Sequence, residues 1–372
     1  MFGTLLLFLV VLSLLVFVHE AGHFFMAKKM GMKVDEFGFG FPPRLWGIQR
    51  GGTTYSINWI PLGGFVKIKG ESGEHRGDSD SFASKKIWQR LVVLVAGVVM
   101  NLLLACVLLS AGFMVGLPSI VDEQTPSYAH VSGKQVSVMT VVPGSPAEAA
   151  GIASGDTIVL IDGTPYDDAA AAREHISSSG DTGVDMVVKR QDGTSVMMHV
   201  VAQDIASVGV HGIGVGLLTT ATVSFSPLYA MYHGAIATAQ YTIEVVKAFA
   251  GLIRNLVVEQ TVSVELSGPV GIAVMTGQAA AMGIVYLVQF AALLSINLAV
   301  LNVLPFPALD GGRVLFLVIE KFRGRPVDEK VEAMVHNLGF ALLMILVALV
   351  TYRDFVKFGG QIIGTLKSLI GA

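Results

Sequence analysis

His19, Glu20 and His23 form the group of residues in this sequence best suited to chemistry. On an α-helix, positions i and i+4 lie on one face, a turn apart, so the two imidazoles can bind a single metal ion. Glu20 follows the first histidine and can act as a general base on water at that metal. This is the His-Glu-x-x-His arrangement of zinc sites. The pattern predicts one zinc ion per chain and metal-assisted hydrolysis.

The segment around these residues, 14–31, is otherwise apolar enough for the interior of a membrane. An isolated histidine in such a segment is usually a packing or hydrogen-bonding residue. Three ionisable groups within five residues each cost about 2–3.5 kcal/mol at the centre of a membrane-spanning helix. A purely structural role would not offset that cost, so the metal interpretation is favoured.

Zinc held by two histidines needs a third protein ligand, and a catalytic site keeps one position open. Asp310 is the candidate, because it follows Pro305 and Pro307 and precedes two glycines and a new apolar helix. The alternative is that Asp310 caps the first free N–H groups of that helix. Irregular backbone at membrane depth occurs only where it is buried in protein or lines a wet cavity. This setting favours the ligand role.

Composition indicates a membrane protein, since 53% of the 372 residues are hydrophobic and only 14% are charged. The net charge of −3 argues against a nucleic-acid partner, and the single cysteine, Cys106, excludes an intramolecular disulfide. The first apolar segment has no basic start and no small-residue cleavage site, so we expect it to stay on the protein. Four segments are long enough to span a bilayer: residues 2–25, 91–117, 282–304 and 335–352.

The distribution of lysine and arginine predicts the orientation of these spans. Residues 26–90 contain eleven such residues, whereas the longer region 118–226 contains four. By the positive-inside rule, 26–90 and 320–334 lie in the cytoplasm. Both termini and the region 118–226 are then expected outside.

The region 118–226 reads as a separate α+β domain with a core at 136–203. Its pattern predicts short strands, a helix at 146–150, a second helix at 169–179 and a hairpin that turns at Asp192-Gly193. Together with the stretch SPAEAAGIASGDTIVLIDG, this resembles a single PDZ domain. Such a domain could bind peptides at a sheet edge or act as a steric filter for trimmed substrates. The surrounding divisions are an N-terminal membrane core at 1–117, an amphipathic interfacial linker at 227–281 and a C-terminal membrane core at 282–372.

The sequence as a whole resembles the site-2 proteases, which are intramembrane zinc metalloproteases, and is most similar to the bacterial envelope-stress branch of RseP-like proteases. The resemblance is carried by His19-Glu20-Ala21-Gly22-His23 and by the stretch from Asn302 to Gly311. Between them, Ile60–Glu71 resembles the membrane-associated β-hairpin of the family, and Glu36–Leu45 the glycine-rich loop before it. Leu266–Ala273 resembles the segment before the third span.

This resemblance implies a polytopic α-helical membrane protein with four transmembrane helices, a β-hairpin region and one inserted PDZ domain. It implies His19, His23 and Asp310 as zinc ligands, Glu20 as catalytic base, and Asn302 as a residue that helps to hold an extended substrate. Asn101 is interpreted as an interhelical contact. The expected location is the inner membrane of a bacterium. Expected substrates are single-span membrane proteins, such as anti-sigma factors, or remnant signal peptides.

Two other classes of function stay open at this point. The chain could be a catalytically inactive membrane adaptor that presents its PDZ domain, although an adaptor needs no general base such as Glu20. A metal transporter should carry ionisable groups along several spans. The second and fourth spans carry no aspartate, glutamate, lysine or arginine, and their ionisable groups are limited to Cys106, His336 and Tyr352.

Overall fold

The computed structural model describes residues 2–190, 192–205, 210–259 and 267–370. Residues 260–266 of the predicted linker, which include Leu266, lie outside the described residues. The helices are α1 (Phe2–Lys29), α2 (Ile87–Val115), α3 (Pro146–Ala149), α4 (Ala169–Ser178), α5 (Pro227–Arg254), α6 (Pro269–Met282), α7 (Ile284–Val303), α8 (Asp310–Arg323) and α9 (Glu329–Ile370). The strands are β1 (Val34–Arg50), β2 (Thr53–Ile68), β3 (Leu117–Ile120), β4 (His130–Val141), β5 (Thr157–Ile161), β6 (Thr164–Pro165), β7 (Val184–Lys189), β8 (Ser195–Val200), β9 (Gln203–Ile205), β10 (Val210–Gly212) and β11 (Val215–Ser224).

Four helices in the described part of the chain are long and apolar enough to cross a membrane. They lie in α1, α2, α7 and α9, over Gly3–Lys29, Ile87–Val115, Ile284–Val303 and Glu329–Gly359. The four spans predicted from the sequence are therefore confirmed as helices of sufficient length and composition. The stretch read as an amphipathic linker begins with a helix, α5, and its position at a membrane interface stays a prediction.

The chain divides into two compact units. The first contains residues 1–111 and 231–372, and the second contains Gly112–Ala230. The domain limits predicted from the sequence, 1–117, 118–226, 227–281 and 282–372, remain predictions.

In the first unit, strands β1 and β2 form one long antiparallel hairpin that turns at Gly51-Gly52. The prediction of a hairpin over Ile60–Glu71 was wrong in its limits, because that stretch supplies only the end of β2. The prediction of a loop over Glu36–Leu45 was also wrong, since these residues lie in β1. Glycine alternates there with Phe37, Phe39 and Phe41, and an alternation of period two is typical of a strand. The loop was expected from the resemblance of this stretch to a glycine-rich loop of the family.

The hairpin packs along α1 on the approach to His19. Ser13 Oγ donates a hydrogen bond to the carbonyl of Pro61 at 2.8 Å and accepts one from the N–H of Gly63 at 3.2 Å. Further along, the rings of Phe24 and Phe37 stack with centroids 4.7 Å apart. Strand β2 therefore runs beside the helix that carries the His-Glu-x-x-His residues.

The second unit is built on one sheet with the strand order β3-β11-β4-β5-β7-β8, and β6 pairs with β5. Helices α3 and α4 pack against it, and the buried core includes Val138, Ile158, Met186 and Leu217. Asp168 caps α4 by accepting hydrogen bonds from two backbone N–H groups. The two predicted helices and the hairpin at Asp192-Gly193 are present in this unit.

Candidate metal centre

The structure brings His19, His23 and Asp310 together, although 291 positions of sequence separate the first from the last. His19 Nε2 lies 3.0 Å from Asp310 Oδ2 and 3.1 Å from His23 Nε2. His23 Nε2 lies 3.3 Å from the same carboxylate oxygen. Both histidines are 6% exposed. One ligand atom from each residue therefore points to a common position within a buried environment.

These distances can be compared with the needs of a zinc ion. Bonds of about 2.0–2.1 Å in tetrahedral geometry separate neighbouring ligand atoms by about 3.3 Å. The three separations of 3.0–3.3 Å are close to the edges of one face of such a tetrahedron. Two imidazole nitrogens and one carboxylate oxygen are also ligands that zinc accepts. The residues present fit the ion, and a fourth position is left for substrate or water.

The second nitrogen of each imidazole has a partner that sets the orientation of the ring. His23 Nδ1 lies 2.8 Å from the carbonyl oxygen of Val93, so Nδ1 carries the proton and Nε2 has a free lone pair. His19 Nδ1 lies 3.3 Å from the side-chain amide of Asn101, whose Oδ1 has no partner among the described residues. Exchanging the nitrogen and oxygen of that amide gives an acceptor for the Nδ1–H group of His19. His19 Nε2 is then free as well.

Two residues of α2, Gly97 and Asn101, lie against the predicted metal ligands. The sequence did not single out Gly97, and Asn101 was expected only as an interhelical contact. The interhelical contact expected of Asn101 is present, and its partner is a predicted metal ligand. At Gly97, a Cβ atom would lie 2.5 Å from His23 Nε2 and 2.8 Å from His19 Nε2. Only glycine leaves room for both rings. The spacing of Gly97 and Asn101, four residues apart on a helix, is the signal that places both on one face.

The position of Asp310 follows from the chain before and after it. The N-cap residue of α8 is Leu309, and the carboxylate of Asp310 lies against the two histidines. The alternative role of Asp310 as an N-cap is therefore not observed. A Cβ at Gly311 would overlap the carbonyls of Val303 and Leu304. The glycine lets the connection from α7 fold back tightly against the start of α8.

Two ion pairs fix α8 within the first unit. Arg313, three residues after Asp310, pairs with Glu71 in the segment that follows β2. Arg90 at the start of α2 pairs with Glu320, and both of these side chains are mostly buried. A mostly buried pair is costly to break on one side, because an uncompensated charge remains. The helix that presents Asp310 is thereby tied to both the hairpin segment and α2.

The remaining predicted residues lie at the edge of this centre. Asn302, near the end of α7, places its amide nitrogen 3.4 Å from His19 Nε2. Glu20 lies next to His19 but is not one of the three residues whose ligand atoms converge. Its surroundings include the charges of His23 and Asp310 and the backbone of Val66 in β2. A carboxylate that stays beside the ligand set can act on bound water instead of occupying a ligand position.

Comparison with known proteins gives matches over nearly the whole chain. The model of peptidase family M50 matches residues 7–346. The zinc metalloprotease RasP of Geobacillus kaustophilus is 31% identical and covers 94% of this chain and 97% of its own length. The regulator of sigma-W protease RasP of Bacillus subtilis is 30% identical and covers 95% of this chain and 99% of its own length.

Among solved structures, the PDZ domain of an SdrC-like protein from Listeria innocua matches with 25% identity and a TM-score of 0.20. The match covers 22% of this chain and 92% of the solved PDZ-domain chain. The residues that the family model matches include His19, His23 and Asp310. The chain belongs to peptidase family M50 and is a zinc metalloprotease.

Proposed function

We propose that this chain hydrolyses peptide bonds within the membrane-spanning segments of its substrates, with His19, His23 and Asp310 as zinc ligands and Glu20 as general base. One observation carries the proposal. The three ligand atoms meet at 3.0–3.3 Å, and two of them come from a helix that is long and apolar enough to span a membrane. A peptidase centre built into such a helix acts on peptide bonds that reach membrane depth.

His19, His23 and Asp310 would hold the zinc ion, which would supply a lowered pKa for a water molecule and polarisation of the scissile carbonyl. Glu20 takes the proton of the attacking water and returns it to the leaving amine. The contacts of Val93 and Asn101 keep the two imidazoles in the orientation that ligation needs. Asn302 holds the backbone of an extended substrate, as its position 3.4 Å from His19 suggests.

The proposed substrates are single-span membrane proteins. A relative from Bacillus subtilis is named a regulator of sigma-W protease. This name supports membrane-bound regulators of sigma factors as a substrate class, and remnant signal peptides are the second class. Substrate segments must leave the helical state before cleavage, because the carbonyls of a helix are engaged in its own hydrogen bonds.

We further propose that the protein lies in the inner membrane of a bacterium, with 26–90 and 320–334 in the cytoplasm. Both termini and the PDZ-like region 118–226 are then outside. The bias of lysine and arginine towards 26–90 supports this orientation. The outer region acts as a filter or recruits peptides at a sheet edge.

The test uses the purified full-length protein and a single-span reporter whose products are identified by mass spectrometry. Glu20→Gln keeps the shape of the side chain and removes its basicity, so the rate should fall by about 10²- to 10⁴-fold with zinc content unchanged. His19→Ala and Asp310→Ala should lose zinc as well as activity. Cleavage outside the membrane segment, or normal cleavage by Glu20→Gln, would contradict the proposed mechanism.

The same comparison of the parent protein with Glu20→Gln tests the alternative that the chain is an inactive adaptor. An adaptor would give no cleavage in the parent protein and no difference between the parent and Glu20→Gln.

A further inference from the structure

The loop that presents Asp310 is held by a helix that contributes no predicted ligand. The backbone N–H of Ala308 donates a hydrogen bond of 3.0 Å to His336 Nδ1 on α9. Ala308 has a φ of 80°, which a residue with a side chain adopts rarely and at a cost. Such a conformation persists only where the surroundings hold it. The hydrogen bond that Ala308 donates to His336 is one contact that does so.

A second contact lies one turn further along the same helix. A Cβ at Gly339 would overlap Pro307, touching its Cβ, its carbonyl carbon and its carbonyl oxygen. Positions 336 and 339 are three residues apart and therefore share one face of α9. That face meets Pro307 and Ala308, two consecutive residues that lead into Asp310.

The protonation of His336 follows from its bond. Nδ1 accepts from Ala308 and is unprotonated, so the proton of the neutral ring is on Nε2. Nε2 is buried and has no hydrogen-bond partner among the described residues. The ring of Phe316, on α8, lies 5.4 Å from the imidazole centroid. The ring is therefore packed between α9, the loop and α8, with Nδ1 committed to the backbone of the loop.

We propose that His336 and Gly339 are positioning residues: together they hold the Ala308 loop and so set the direction in which Asp310 meets His19 and His23. The inference rests on the proposed role of Asp310 as a ligand. The connection from α7 to α8 contains Pro305 and Pro307, which have no N–H to donate. Few bonds within the loop can fix it, and the bond across to α9 supplies one of them.

The test compares substitutions of His336 in the purified full-length protein. In His336→Asn, Oδ1 stands where Nδ1 stood and can accept the bond from Ala308. His336→Leu has a similar shape and no acceptor. Asn337→Leu is the matched control, because it adds the same side chain at the neighbouring exposed position of α9. Each protein is measured for zinc affinity by competition with a chelator, for the absorption spectrum of its cobalt form, and for kcat and KM.

Partners outside the ligand shell typically change metal affinity or activity by about 10- to 100-fold. We expect His336→Leu to lose about tenfold in zinc affinity, with an altered cobalt spectrum, a lower kcat and an unchanged KM. His336→Asn should restore most of each value, and Asn337→Leu should match the parent. Parent-like zinc affinity and spectrum in His336→Leu would overturn the inference. So would an equal loss in His336→Leu and His336→Asn.

Gly339→Ala tests the same face without removing a polar group. The added methyl group presses on Pro307, so zinc affinity should fall and the cobalt spectrum should change, whereas parent-like values would count against the inference.

Asp310→Ala distinguishes failure of the ligand role of Asp310 from failure of the positioning role of His336. If that variant keeps its zinc, the ligand assignment fails, and the role of His336 fails with it. If it loses zinc while the α9 variants keep theirs, only the positioning role is wrong.

Discussion

At the residue scale, the orientation of the two imidazoles is set by groups that do not bind metal. The carbonyl of Val93 contacts Nδ1 of His23, and the side-chain amide of Asn101 contacts Nδ1 of His19. Both groups belong to α2. Ser295 Oγ donates to the backbone carbonyl of Asn101 at 2.8 Å, which links α7 to the same point. A ligand that is oriented in advance loses less freedom when the ion binds, so we expect these contacts to contribute to metal affinity.

Gly97→Ala is the sharpest test of this arrangement. The new Cβ would lie 2.5–2.8 Å from atoms of His19 and His23, well inside an ordinary carbon contact of about 3.5–4.0 Å. The rings must move, and we expect zinc affinity to fall by about tenfold or more, as measured by chelator competition. Gly3→Ala is the control, since it lies in a membrane helix and its Cβ would meet no atom within 4 Å. Equal zinc affinity in the two variants would show that α2 does not shape the site.

At the element scale, the hairpin of β1 and β2 is an extended partner of α1 beside Glu20, the proposed general base. Its contacts with Ser13 involve backbone groups of Pro61 and Gly63. Glu20 has the backbone of Val66 in its surroundings, which places β2 against the proposed catalytic residue. A shift of β2 along or away from α1 would therefore disturb catalysis more than metal binding.

Gly63→Ala should reveal this difference. Gly63 has a φ of 94°, and a Cβ there would lie 2.6 Å from Val16 on α1. Gly52→Ala is matched to it, because Gly52 also has a positive φ, 75°, but no atom lies within 4 Å of its Cβ. Both variants carry the backbone strain of an alanine at positive φ, and only Gly63→Ala displaces the hairpin. We expect Gly63→Ala to lower kcat severalfold with normal zinc content. A similar kcat in both variants would refute the role given to hairpin packing.

At the scale of the whole molecule, the charge bias predicts which side of the membrane each segment occupies. In a Cys106→Ser background, cysteines are introduced at the exposed positions Ser72 and Ser178. An impermeant maleimide applied to intact cells should label the cysteine at 178 and leave the one at 72 unlabelled until the cells are opened. The reverse pattern would invert the proposed orientation.

Most of the second unit can be removed without leaving an unpaired strand. Strands β3 and β11 pair directly, and the N–H of Val121 donates to the carbonyl of Thr219 at 2.9 Å. Replacing 122–218 by a two-glycine turn should therefore leave a short hairpin. If the unit is a filter, this variant should cleave substrates with bulky outer domains that the parent rejects. If the unit recruits, cleavage of trimmed substrates should weaken. A variant that handles both substrates like the parent would exclude both roles.

The sequence by itself determined the class of chemistry, zinc-dependent proteolysis, and the four segments that are long and apolar enough to span a membrane. His19, Glu20 and His23 lie within one turn of a helix, and the length and polarity of a span are properties of consecutive residues, so local rules were sufficient. Asp310 was predicted as a ligand because two histidines leave a zinc site short of a third protein ligand, and because its proline- and glycine-rich setting stood out in the sequence. The structure places its carboxylate beside both histidines.

Only the tertiary structure decided how those residues are held. The contact between Asn101 and His19 joins positions 82 apart, and the bond between Ala308 and His336 joins positions 28 apart. No local pattern encodes such pairs, because they depend on which helices become neighbours. The hairpin limits that the resemblance implied were wrong for a related reason. Glycine inside a strand is compatible with close approach of another backbone, and only the partner strand shows how far each strand extends.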